Sequence, residues 1–559
     1  MTALSLDRPA PAGLSPISGQ RLLTDLLDDT VARFPDRNAI DFMGRTWRYR
    51  DIARMVDRAA RGLHDLGLRK GDRFALCLPN LPYFPVLYFA ALRLGAVVVN
   101  LNPLYTAKEL DHLIRDSGTR MIAIPDLGSI HTKVRDIAEA AGIEKIIMCR
   151  LGAVLPRLQA LGWHVLKRKE HAHFHEDQLH VDFCSLMLGR APLPPISVSP
   201  DDLAVLQYTG GTTGVPKGAM LSHANLCANA MQMLAHVGHD LDRQERVLGV
   251  LPMFHVFALT TVLNFSVEVG AEIVLLARFD LKQMLRTIRR KPPTILFGVP
   301  TIWQAINSKV PKAQAPDLSR LTACVSGGAP LPLEVREEFE ALTGARVVEG
   351  YGLTEASPII TCNPVDGPVK DNSCGPAFPG TQIEIRDPNQ PERLMPLGEK
   401  GEVCARGAQV MQGYWGKPED TAKVFVDGAL RTGDIGYLDE DGYLFLVDRI
   451  KDVILCGGYN VYPRAIEDAA YQHPAVEEAI AIGIPDKYRG QSPKLFIKLH
   501  DGATLTAPEL SAFLAEHISK IEIPREIEFR ESLPKTLVGK LSKKELVEEE
   551  RLRRCGAPT

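Results

Sequence analysis

Short apolar runs alternate with segments of helical periodicity along the first two thirds of this chain. The runs Arg73–Leu78, Ala96–Asn100 and Met121–Ile124 each follow a segment whose apolar residues recur at helical spacing. The same alternation resumes at Arg246–Leu251 and Glu272–Leu276, and continues at Thr294–Phe297. Strands that alternate with helices favour an α/β fold built on doubly wound, mostly parallel sheets.

The pattern changes twice toward the C-terminus. From about residue 375 to 447 short strands alternate with glycine turns, which predicts a small β-rich subdomain. Beyond it, the strands Ala479–Ile482 and Lys494–Lys498 belong to a new α+β unit. The charged segment Asp448–Asp452 is typical of an exposed connection between domains. We therefore expect an N-terminal domain over residues 1–448, a hinge over 449–453 and a small mobile C-terminal domain over 454–559.

Composition narrows the class of protein. A chain of 559 residues with 45% apolar and 24% charged residues is a globular protein of at least two domains. A formal charge of −3 gives no global attraction to nucleic acid, so no nucleic-acid partner is expected. The ten cysteines include no C-x-x-C pair, which fits a reducing cytosol rather than a disulfide framework.

Neither a secretory signal nor a membrane span is predicted. The N-terminal residues contain no apolar core of a signal peptide. The long apolar stretch Phe84–Leu101 carries Arg93 and Gly95, so it reads as a helix followed by a buried strand. We expect a cytoplasmic protein that is soluble or peripherally attached to the inner face of the plasma membrane.

The segment Tyr208–Gly218 is the strongest chemical signal. It holds four glycines, three threonines and Lys217 in eleven residues, directly after the apolar run Leu203–Leu206. Successive backbone N–H groups, hydroxyls and one mobile cation suit the phosphates of a nucleotide. Pro216 and Gly218 flank the lysine where a Walker A loop has Gly and Ser or Thr, so this is a different kind of phosphate loop.

Four further segments are weak signals when each is taken alone. Glu355, after a tight glycine turn, suits Mg²⁺, although a surface turn is commoner. Asp434 could grip ribose hydroxyls or form an ordinary Asx turn. His255 sits in an apolar run where a core histidine is usual, and Lys540 lies in a segment typical of solvated surface.

Taken in order, these segments resemble the motif series of the adenylate-forming superfamily over about residues 25 to 550. The chain looks most similar to the bacterial long-chain fatty-acid–CoA ligases. The segments that carry the closer resemblance are Asn102–Thr106, Gln207–Gly214, Pro252–Thr260 and Gly457–Pro463.

This resemblance implies an enzyme that joins a fatty acid to ATP as an acyl-adenylate, releases pyrophosphate, and then transfers the acyl group to coenzyme A with release of AMP. The implied phosphate-binding residues are Tyr208, Thr209, Gly210, Gly211, Thr212, Thr213, Gly214 and Lys217. The implied adenine and ribose residues are Gly327, Gly328, Ala329, Gly350, Tyr351, Gly352, Asp434 and Arg449.

The resemblance also assigns the catalytic groups. Lys540 would bridge the acyl carboxylate and the α-phosphate, with His255 beside the carboxylate and Thr354 near the α-phosphate. Glu355, together with Thr209, would bind Mg²⁺. Lys451 is assigned both to the nucleotide site and to the hinge, about which the C-terminal domain would rotate between the two half-reactions.

One position departs from the family pattern. Related long-chain ligases have Gly-Trp before the T-G-D turn, whereas this chain has Gly428-Ala429. The loss of a large aromatic side chain leaves the preferred acyl chain length open.

The segment 151–180 suggests a membrane contact. Basic residues and a histidine cluster surround Leu161 and Trp163, a composition that fits a peripheral contact with an anionic membrane. A solvated insertion explains it equally well. A metal site is not favoured, because the histidines lack a cysteine or carboxylate partner pattern. A homodimer is also kept open.

Several alternatives to the main hypothesis remain at this stage. A medium-chain or aryl acid–CoA ligase would share every motif. A fatty-acyl–AMP ligase would load a carrier protein instead of coenzyme A, and a peptide-synthetase module would normally be followed by a carrier domain. A non-catalytic nucleotide-binding protein would not need Lys540.

Overall fold

A computed structural model of the chain describes residues 21–554 except 190, 210–215, 239–242 and 537–539. The described part begins with α1 (Leu23–Arg33), a hairpin of β1 (Asn38–Phe42) and β2 (Arg45–Arg48), and α2 (Tyr49–Asp65). This hairpin does not pair with the strands that follow it in sequence. β1 instead lies parallel to a strand from the middle of the chain.

The first sheet has seven strands in the order β7-β6-β5-β3-β4-β8-β9, parallel except for β9. Its strands are β3 (Arg73–Leu76), β4 (Val97–Asn100), β5 (Thr119–Pro125), β6 (Lys145–Cys149), β7 (His180–Asp182), β8 (Leu203–Thr209) and β9 (Lys217–Ser222). The helices between them are α3 (Tyr83–Arg93), α4 (Ala107–Ser117), α5 (Gly128–Ala141), α6 (Leu151–Val154), α7 (Arg157–Leu166) and α8 (Phe183–Leu186), with a 3-10 helix at Arg168–Glu170.

The second sheet has eight strands in the order β15-β14-β13-β12-β10-β11-β1-β2, with antiparallel strands only at its two edges. Its later strands are β10 (Arg246–Gly249), β11 (Glu272–Leu275), β12 (Ile295–Gly298), β13 (Ala323–Gly327), β14 (Val348–Gly352) and β15 (Ile359–Cys362). The helices are α9 (His223–Val237), α10 (Val256–Ala258), α11 (Phe265–Glu268), α12 (Leu281–Arg290), α13 (Pro300–Lys309) and α14 (Leu333–Thr343). A π-helix covers Leu259–Asn264, and 3-10 helices cover Lys312–Gln314 and Thr354–Ala356.

A third, antiparallel sheet forms the β-rich subdomain. It consists of β16 (Gln382–Arg386), β17 (Gly401–Arg406), β18 (Phe425–Val426), β19 (Ala429–Leu438) and β20 (Leu444–Arg449), with α15 (Pro418–Lys423) before β18. Asp427 and Gly428 both have positive φ and join β18 to β19 in a tight hairpin. Ala429 follows that turn and is fully buried, so the departure from the family pattern lies in a closed part of the sheet.

The C-terminal unit starts with a 3-10 helix at Ile450–Asp452. Its strands and helices are β21 (Ile454–Cys456), β22 (Tyr459–Val461), α16 (Pro463–Tyr471), β23 (Val476–Asp486), β24 (Gly490–Leu499), α17 (Ala507–Leu514), β25 (Glu526–Phe529) and α18 (Lys544–Arg554). It has its own apolar clusters, one of which is centred on Ile466, Leu495 and Ile497.

The predicted α/β architecture is confirmed, and each predicted strand overlaps an observed one. Phe84–Leu101 contains α3 and β4, as the interrupted apolar stretch predicted. Within the described residues, no helix has the length and hydropathy needed to span a membrane. The pairing of β1 and β2 with the second sheet was not predicted, because it depends on contacts distant in sequence.

Contacts across the predicted hinge join the two units. The N-cap residue of α16, Tyr462, makes no side-chain cap. Asp448, from the end of β20, accepts the N–H of Arg464 in the first turn of α16 at 2.8 Å. The Arg464 guanidinium donates in turn to the Leu446 carbonyl at 3.1 Å. A carboxylate before the hinge thus caps a helix after it.

Candidate active site

The glycine-rich loop joins two paired strands. Thr209, the last residue of β8, pairs with Lys217, the first residue of β9, and its hydroxyl donates to the Lys217 carbonyl at 3.4 Å. The hairpin therefore fixes both ends of the loop. The predicted phosphate-binding residues Gly210, Gly211, Thr212, Thr213 and Gly214 lie outside the described residues.

Tyr208 anchors this hairpin to α4. Its hydroxyl donates to the Asp116 carboxylate at 2.7 Å, and its side chain is almost fully buried. A β-carbon on Gly218 would lie 3.2 Å from the Tyr208 ring, so the glycine permits close packing across the hairpin. In this arrangement the Tyr208 hydroxyl is bound to a neighbouring helix, and its part in phosphate binding stays a prediction.

Lys217 and Glu355 are connected by a residue that the sequence did not single out. The Tyr414 hydroxyl donates to Glu355 Oε1 at 2.8 Å, and Lys217 Nζ lies 5.2 Å from the centre of the Tyr414 ring. Lys217 also pairs with Asp420 Oδ2 at 2.9 Å. The sequence signal that could have indicated Tyr414 is the aromatic pair in Gly413-Tyr-Trp-Gly416. No neighbouring residue indicates that its partner is Glu355.

Backbone pairing holds Tyr414 in place. The Met220 N–H donates to the Gly413 carbonyl, and the Trp415 N–H donates to the Gly218 carbonyl, both at 2.8 Å. The Met411 N–H donates to the Glu355 carbonyl at the same distance. One segment therefore binds both β9 and the 3-10 helix that carries Glu355.

Glu355 and its surroundings fit a magnesium ion. Within the described ranges, Tyr414 is the only hydrogen-bond donor to the Glu355 carboxylate, and it occupies Oε1. Oε2 therefore remains for a cation. Mg²⁺ prefers one or two carboxylates together with substrate phosphates and water, which matches one carboxylate near a phosphate loop. The Thr209 hydroxyl keeps lone pairs after donating its proton.

Tyr351, Asp434 and Arg449 form a compact group at the end of β14 and on β19 and β20. The Tyr351 hydroxyl donates to Asp434 Oδ2 at 2.5 Å, and Arg449 Nε lies 3.3 Å from Asp434 Oδ1. Burial raises the pKa of Asp434, and the Arg449 charge opposes that effect. The Tyr351 ring is thereby fixed beside the carboxylate that was predicted to hold the ribose.

Glycines lie on β13 and β14, where residues of the adjacent strand come close to the backbone. Gly327 on β13 pairs with Gly350 on β14. A β-carbon on Gly352 would lie 2.0 Å from the Pro358 carbonyl oxygen, and one on Gly350 would lie 3.2 Å from the Cys362 sulfur. A side chain at Gly352 would collide with the backbone, and one at Gly350 would have to displace the Cys362 side chain. Ala329, half-buried, follows these strands.

His255 is a neutral hydrogen-bond donor. Its Nδ1 accepts the N–H of Phe257 at 3.3 Å, which leaves the proton on Nε2. Burial lowers the pKa of His255 to about 3, with a smaller contribution from the Lys540 charge. The imidazole is therefore uncharged near neutral pH. Thr354, half-buried, lies on the 3-10 helix with Glu355.

Lys540 reaches this group from the C-terminal unit. The Thr536 N–H donates to the Lys540 carbonyl at 2.6 Å, and the Lys540 N–H donates to the Thr536 hydroxyl at 3.1 Å. Its Nζ lies 3.0 Å from the place of a β-carbon on Gly328, whose φ is +81°. Burial lowers the pKa of Lys540 to about 8, and the Arg449 charge adds to this shift.

The structure thus brings Lys540 into the neighbourhood of Gly328, His255 and Arg449. Lys451 lies in the 3-10 helix after β20, and partial burial together with the Arg449 charge lowers its pKa. Lys540, Arg449 and the neutral His255 therefore form one group, and Lys217 and the Glu355 carboxylate meet at Tyr414 in another. Such a set can bind a nucleotide and neutralise charge that develops on it.

Two protein-family models and several proteins of known activity are similar to this chain. The sequence model of the AMP-binding enzyme family matches residues 27–415, and that of the AMP-binding enzyme C-terminal domain matches residues 465–540. A long-chain-fatty-acid–CoA ligase of Bacillus subtilis (strain 168) is 41% identical over 535 residues, covering 95% of both chains. One from Salmonella typhimurium (strain LT2) is 38% identical over 549 residues, covering 97% of this chain and 96% of that protein.

A solved structure shows the same architecture. The anthranilate CoA ligase AuaEII in complex with anthranoyl-AMP superposes with a TM-score of 0.85 at 26% identity. The match covers 96% of this chain and 98% of that one.

Tyr414→Phe is expected to weaken metal-dependent nucleotide binding. The change removes the hydroxyl that holds Glu355 and keeps the ring beside Lys217. Loss of a hydrogen bond to a metal-ligating carboxylate typically costs about 10-fold or more in metal affinity. The Mg²⁺ concentration that half-saturates binding of a fluorescent ATP analogue should therefore rise about 10-fold.

Tyr443→Phe is the matched control. The Tyr443 ring also lies near a lysine, with Lys370 Nζ 4.7 Å from its centre, and its hydroxyl donates to the Pro368 carbonyl at 2.9 Å. This variant should keep the wild-type magnesium dependence. An identical magnesium dependence in the two variants would show that Tyr414 does not position Glu355.

Proposed function

The chain belongs to the AMP-binding enzyme family, and we propose from that premise how its residues activate long-chain fatty acids. The enzyme is a long-chain-fatty-acid–CoA ligase that uses ATP and coenzyme A and forms an acyl-adenylate. The observation that carries the residue assignments is the position of Lys540, a cation from the C-terminal unit that lies against Gly328. The superfamily predicted from the motif order is confirmed by the two family models and by the similar ligases.

The first half-reaction joins two anions. An oxygen of the fatty acid carboxylate attacks the α-phosphorus of ATP, a C–O–P linkage forms, and the bond to the β-phosphate oxygen breaks to release pyrophosphate. Bringing the reactants into line and neutralising their charge are the main tasks of the protein. We assign the bridge between carboxylate and α-phosphate to Lys540.

The neutral His255 complements Lys540 in this step. Its Nε2–H can donate to the carboxylate without adding a charge that would hold the nucleophile too tightly. Thr354 is assigned to the α-phosphate. Because the pKa of Lys540 is lowered to about 8 by burial, its ammonium is only weakly solvated before substrate arrives, and two anions in the cleft would favour the charged form.

The remaining residues bind the nucleotide. We assign Lys217, Thr209 and the glycine-rich loop to the β- and γ-phosphates, Tyr351 and the glycines around it to adenine, and Asp434 with Arg449 to the ribose. Glu355, with Thr209, would hold Mg²⁺, which supplies charge neutralisation at the phosphates when bound. Tyr414 fixes the orientation of the Glu355 carboxylate.

The second half-reaction requires Lys540 to leave the cleft. The thiol of coenzyme A attacks the acyl carbonyl carbon, the bond to the phosphate oxygen breaks, and AMP departs while the thiol proton is lost. We propose residues 1–448 and 454–559 as the two domains and 449–453 as the hinge between them. Lys451 lies in the single 3-10 turn that joins β20 to β21, where a change in few backbone dihedrals moves the whole C-terminal unit.

Two rival activities differ from the proposed one, the first in the acid that is activated and the second in the acceptor of the acyl group. An aryl acid–CoA ligase shares the fold, as the anthranilate ligase shows by its TM-score of 0.85. A fatty-acyl–AMP ligase would complete only the first half-reaction. Identity of 41% over 95% of a long-chain ligase favours the long-chain assignment. A cytoplasmic location and a homodimeric state remain predictions.

A panel of acids should separate these activities. We expect coenzyme A-dependent AMP release to be fastest with fatty acids as long as those of membrane lipids, and slow with aromatic and short acids. Release of AMP should stop when coenzyme A is omitted. Preference for aromatic acids, or adenylate formation with no transfer of the acyl group to coenzyme A when coenzyme A is supplied, would contradict the assignment.

Lys540→Ala should separate the two half-reactions. Loss of one positioned cation at a charged transition state lowers the catalytic rate about 100- to 1,000-fold. The rate of pyrophosphate exchange should therefore fall by that factor. Thioester formation from preformed acyl-AMP should stay near the wild-type rate. Lys544→Ala, at an exposed lysine on α18, is the control, and equal losses in both assays would refute the role of Lys540.

Lys451→Pro should trap one conformation. Proline fixes φ at about −65° and removes the N–H, so the turn cannot adopt two backbone conformations. One half-reaction should be lost while the other continues. Lys451→Ala, which removes the side chain but keeps backbone freedom, should lower both half-reactions by a similar factor through weaker nucleotide binding and abolish neither. Normal turnover of the proline variant would place the hinge elsewhere.

A further inference from the structure

Lys540 lies in one of two paired arms, residues 534–536 and 540–542, which precede α18. The Ser542 N–H donates to the Pro534 carbonyl at 2.9 Å and closes the base of the pair. The second arm packs against an apolar cluster on β23 and β24. The position of the catalytic lysine therefore depends on how these paired arms are held on the C-terminal unit.

A lysine at each end of the paired arms forms an ion pair with a carboxylate of the same unit. Lys535 Nζ lies 2.5 Å from Glu478 Oε1 on β23. Lys543, which stands between the second arm and α18, has its Nζ 3.0 Å from Glu467 Oε1 on α16. The same oxygen of Glu467 accepts the Ala481 N–H of β23 at 2.8 Å. Glu467 therefore joins α16, β23 and the end of the paired arms.

Lys543 lies among carboxylates from both sides of the proposed hinge. Burial alone would lower the pKa of Lys543, but the charges of Glu467 and Asp448 raise it above its usual value. Asp452, within the hinge, acts in the same direction. Burial raises the pKa of Asp468 on α16, and the Lys543 charge is among those that oppose this effect. Without the Lys543 ammonium, these acidic side chains would face one another uncompensated.

The two strongest attractions on Lys543 respond differently to rotation about the proposed hinge. Glu467 and Lys543 both follow residues 449–453, so their ion pair would be kept in every conformation. Asp448 precedes the hinge, so its attraction to Lys543 acts only when the C-terminal unit sits as it does here. That is the conformation in which Lys540 lies in the cleft.

We propose that Lys543 is a positioning residue for the first half-reaction and acts through Lys540. Its ion pair with Glu467 sets the paired arms on α16, and its attraction to Asp448 holds them at the cleft. This role rests on that of Lys540 in the proposed adenylate-forming step. Lys543 itself is assigned no contact with either substrate.

Lys543→Met tests this role, because methionine keeps the apolar part of the side chain and removes the charge. A small displacement of a reacting group lowers the rate as much as about 100-fold, so pyrophosphate exchange should fall about 10- to 100-fold. Thioester formation from preformed acyl-AMP should stay near the wild-type rate, since Lys540 has left the cleft in that step. Lys543→Arg keeps the charge and should restore most of the exchange rate.

Lys498→Met is the matched control. Lys498 Nζ lies 2.5 Å from Glu477 Oε1, and its side chain is 20% exposed, against 25% for Lys543. This ion pair joins β23 to β24 rather than to the paired arms. The control should keep both half-reactions at the wild-type rate, which separates positioning from a general loss of stability in the C-terminal unit.

A double variant tests the partner of Lys543. Glu467→Gln keeps an acceptor for the Ala481 N–H and removes the charge, so it should also lower pyrophosphate exchange selectively. Lys543→Met/Glu467→Gln should lose no more than Lys543→Met alone, because either single change already breaks the ion pair.

Four outcomes would overturn the proposal. They are wild-type exchange in Lys543→Met, an equal loss of both half-reactions in that variant, no rescue by Lys543→Arg, and a loss in the double variant equal to the product of the single losses. Lys540→Ala, measured in parallel, distinguishes the two levels of failure. A selective loss in Lys540→Ala beside wild-type exchange in Lys543→Met would refute the positioning role alone, whereas equal losses in Lys540→Ala would refute the assignment of Lys540 and the role of Lys543 with it.

Discussion

The structure depends on holding a desolvated lysine from one domain in a cleft of the other. Burial lowers the pKa of Lys540 to about 8, which records the cost of removing its charge from water. Contacts elsewhere must offset that cost. Asp448 and Arg464 do so at the domain junction, where a carboxylate of β20 caps α16 and the guanidinium binds a β20 carbonyl. Because both contacts lie next to the hinge, a rotation that withdraws the lysine would also strain or break them.

The other charged groups of the cleft already have partners within the protein. Lys217 pairs with Asp420 through half-exposed side chains, and such ion pairs contribute little to stability. A phosphate can therefore replace Asp420 at small cost. Asp434, by contrast, is largely buried, and its carboxylate is bound by the Tyr351 hydroxyl and the Arg449 guanidinium. If these groups bind the nucleotide as proposed, the protein keeps them oriented while leaving them available for exchange with it.

Local patterns predicted the elements and the order of the motifs well. Continuous apolar runs such as Val97–Val99 have few alternatives to a buried parallel strand, and β4 lies there. The role of Tyr414 could not be predicted, because its partner Glu355 is 59 residues away. The two are brought together by pairing of Gly413 and Trp415 with β9 and by the bond from Met411 to the Glu355 carbonyl. The helix cap from Asp448 has the same cause. The contacts that the sequence did not predict are those that depend on pairing between distant segments rather than on local composition.

The first sheet separates α7 from the glycine-rich loop between β8 and β9. α7 follows β6, near one edge of the sheet, whereas the loop joins β8 and β9 at the other edge. Five strand spacings lie between β6 and β9, which corresponds to about 24 Å. Since Lys540 contacts the second sheet rather than the β6 edge, the proposed movement of the C-terminal domain places no direct demand on the residues of α7.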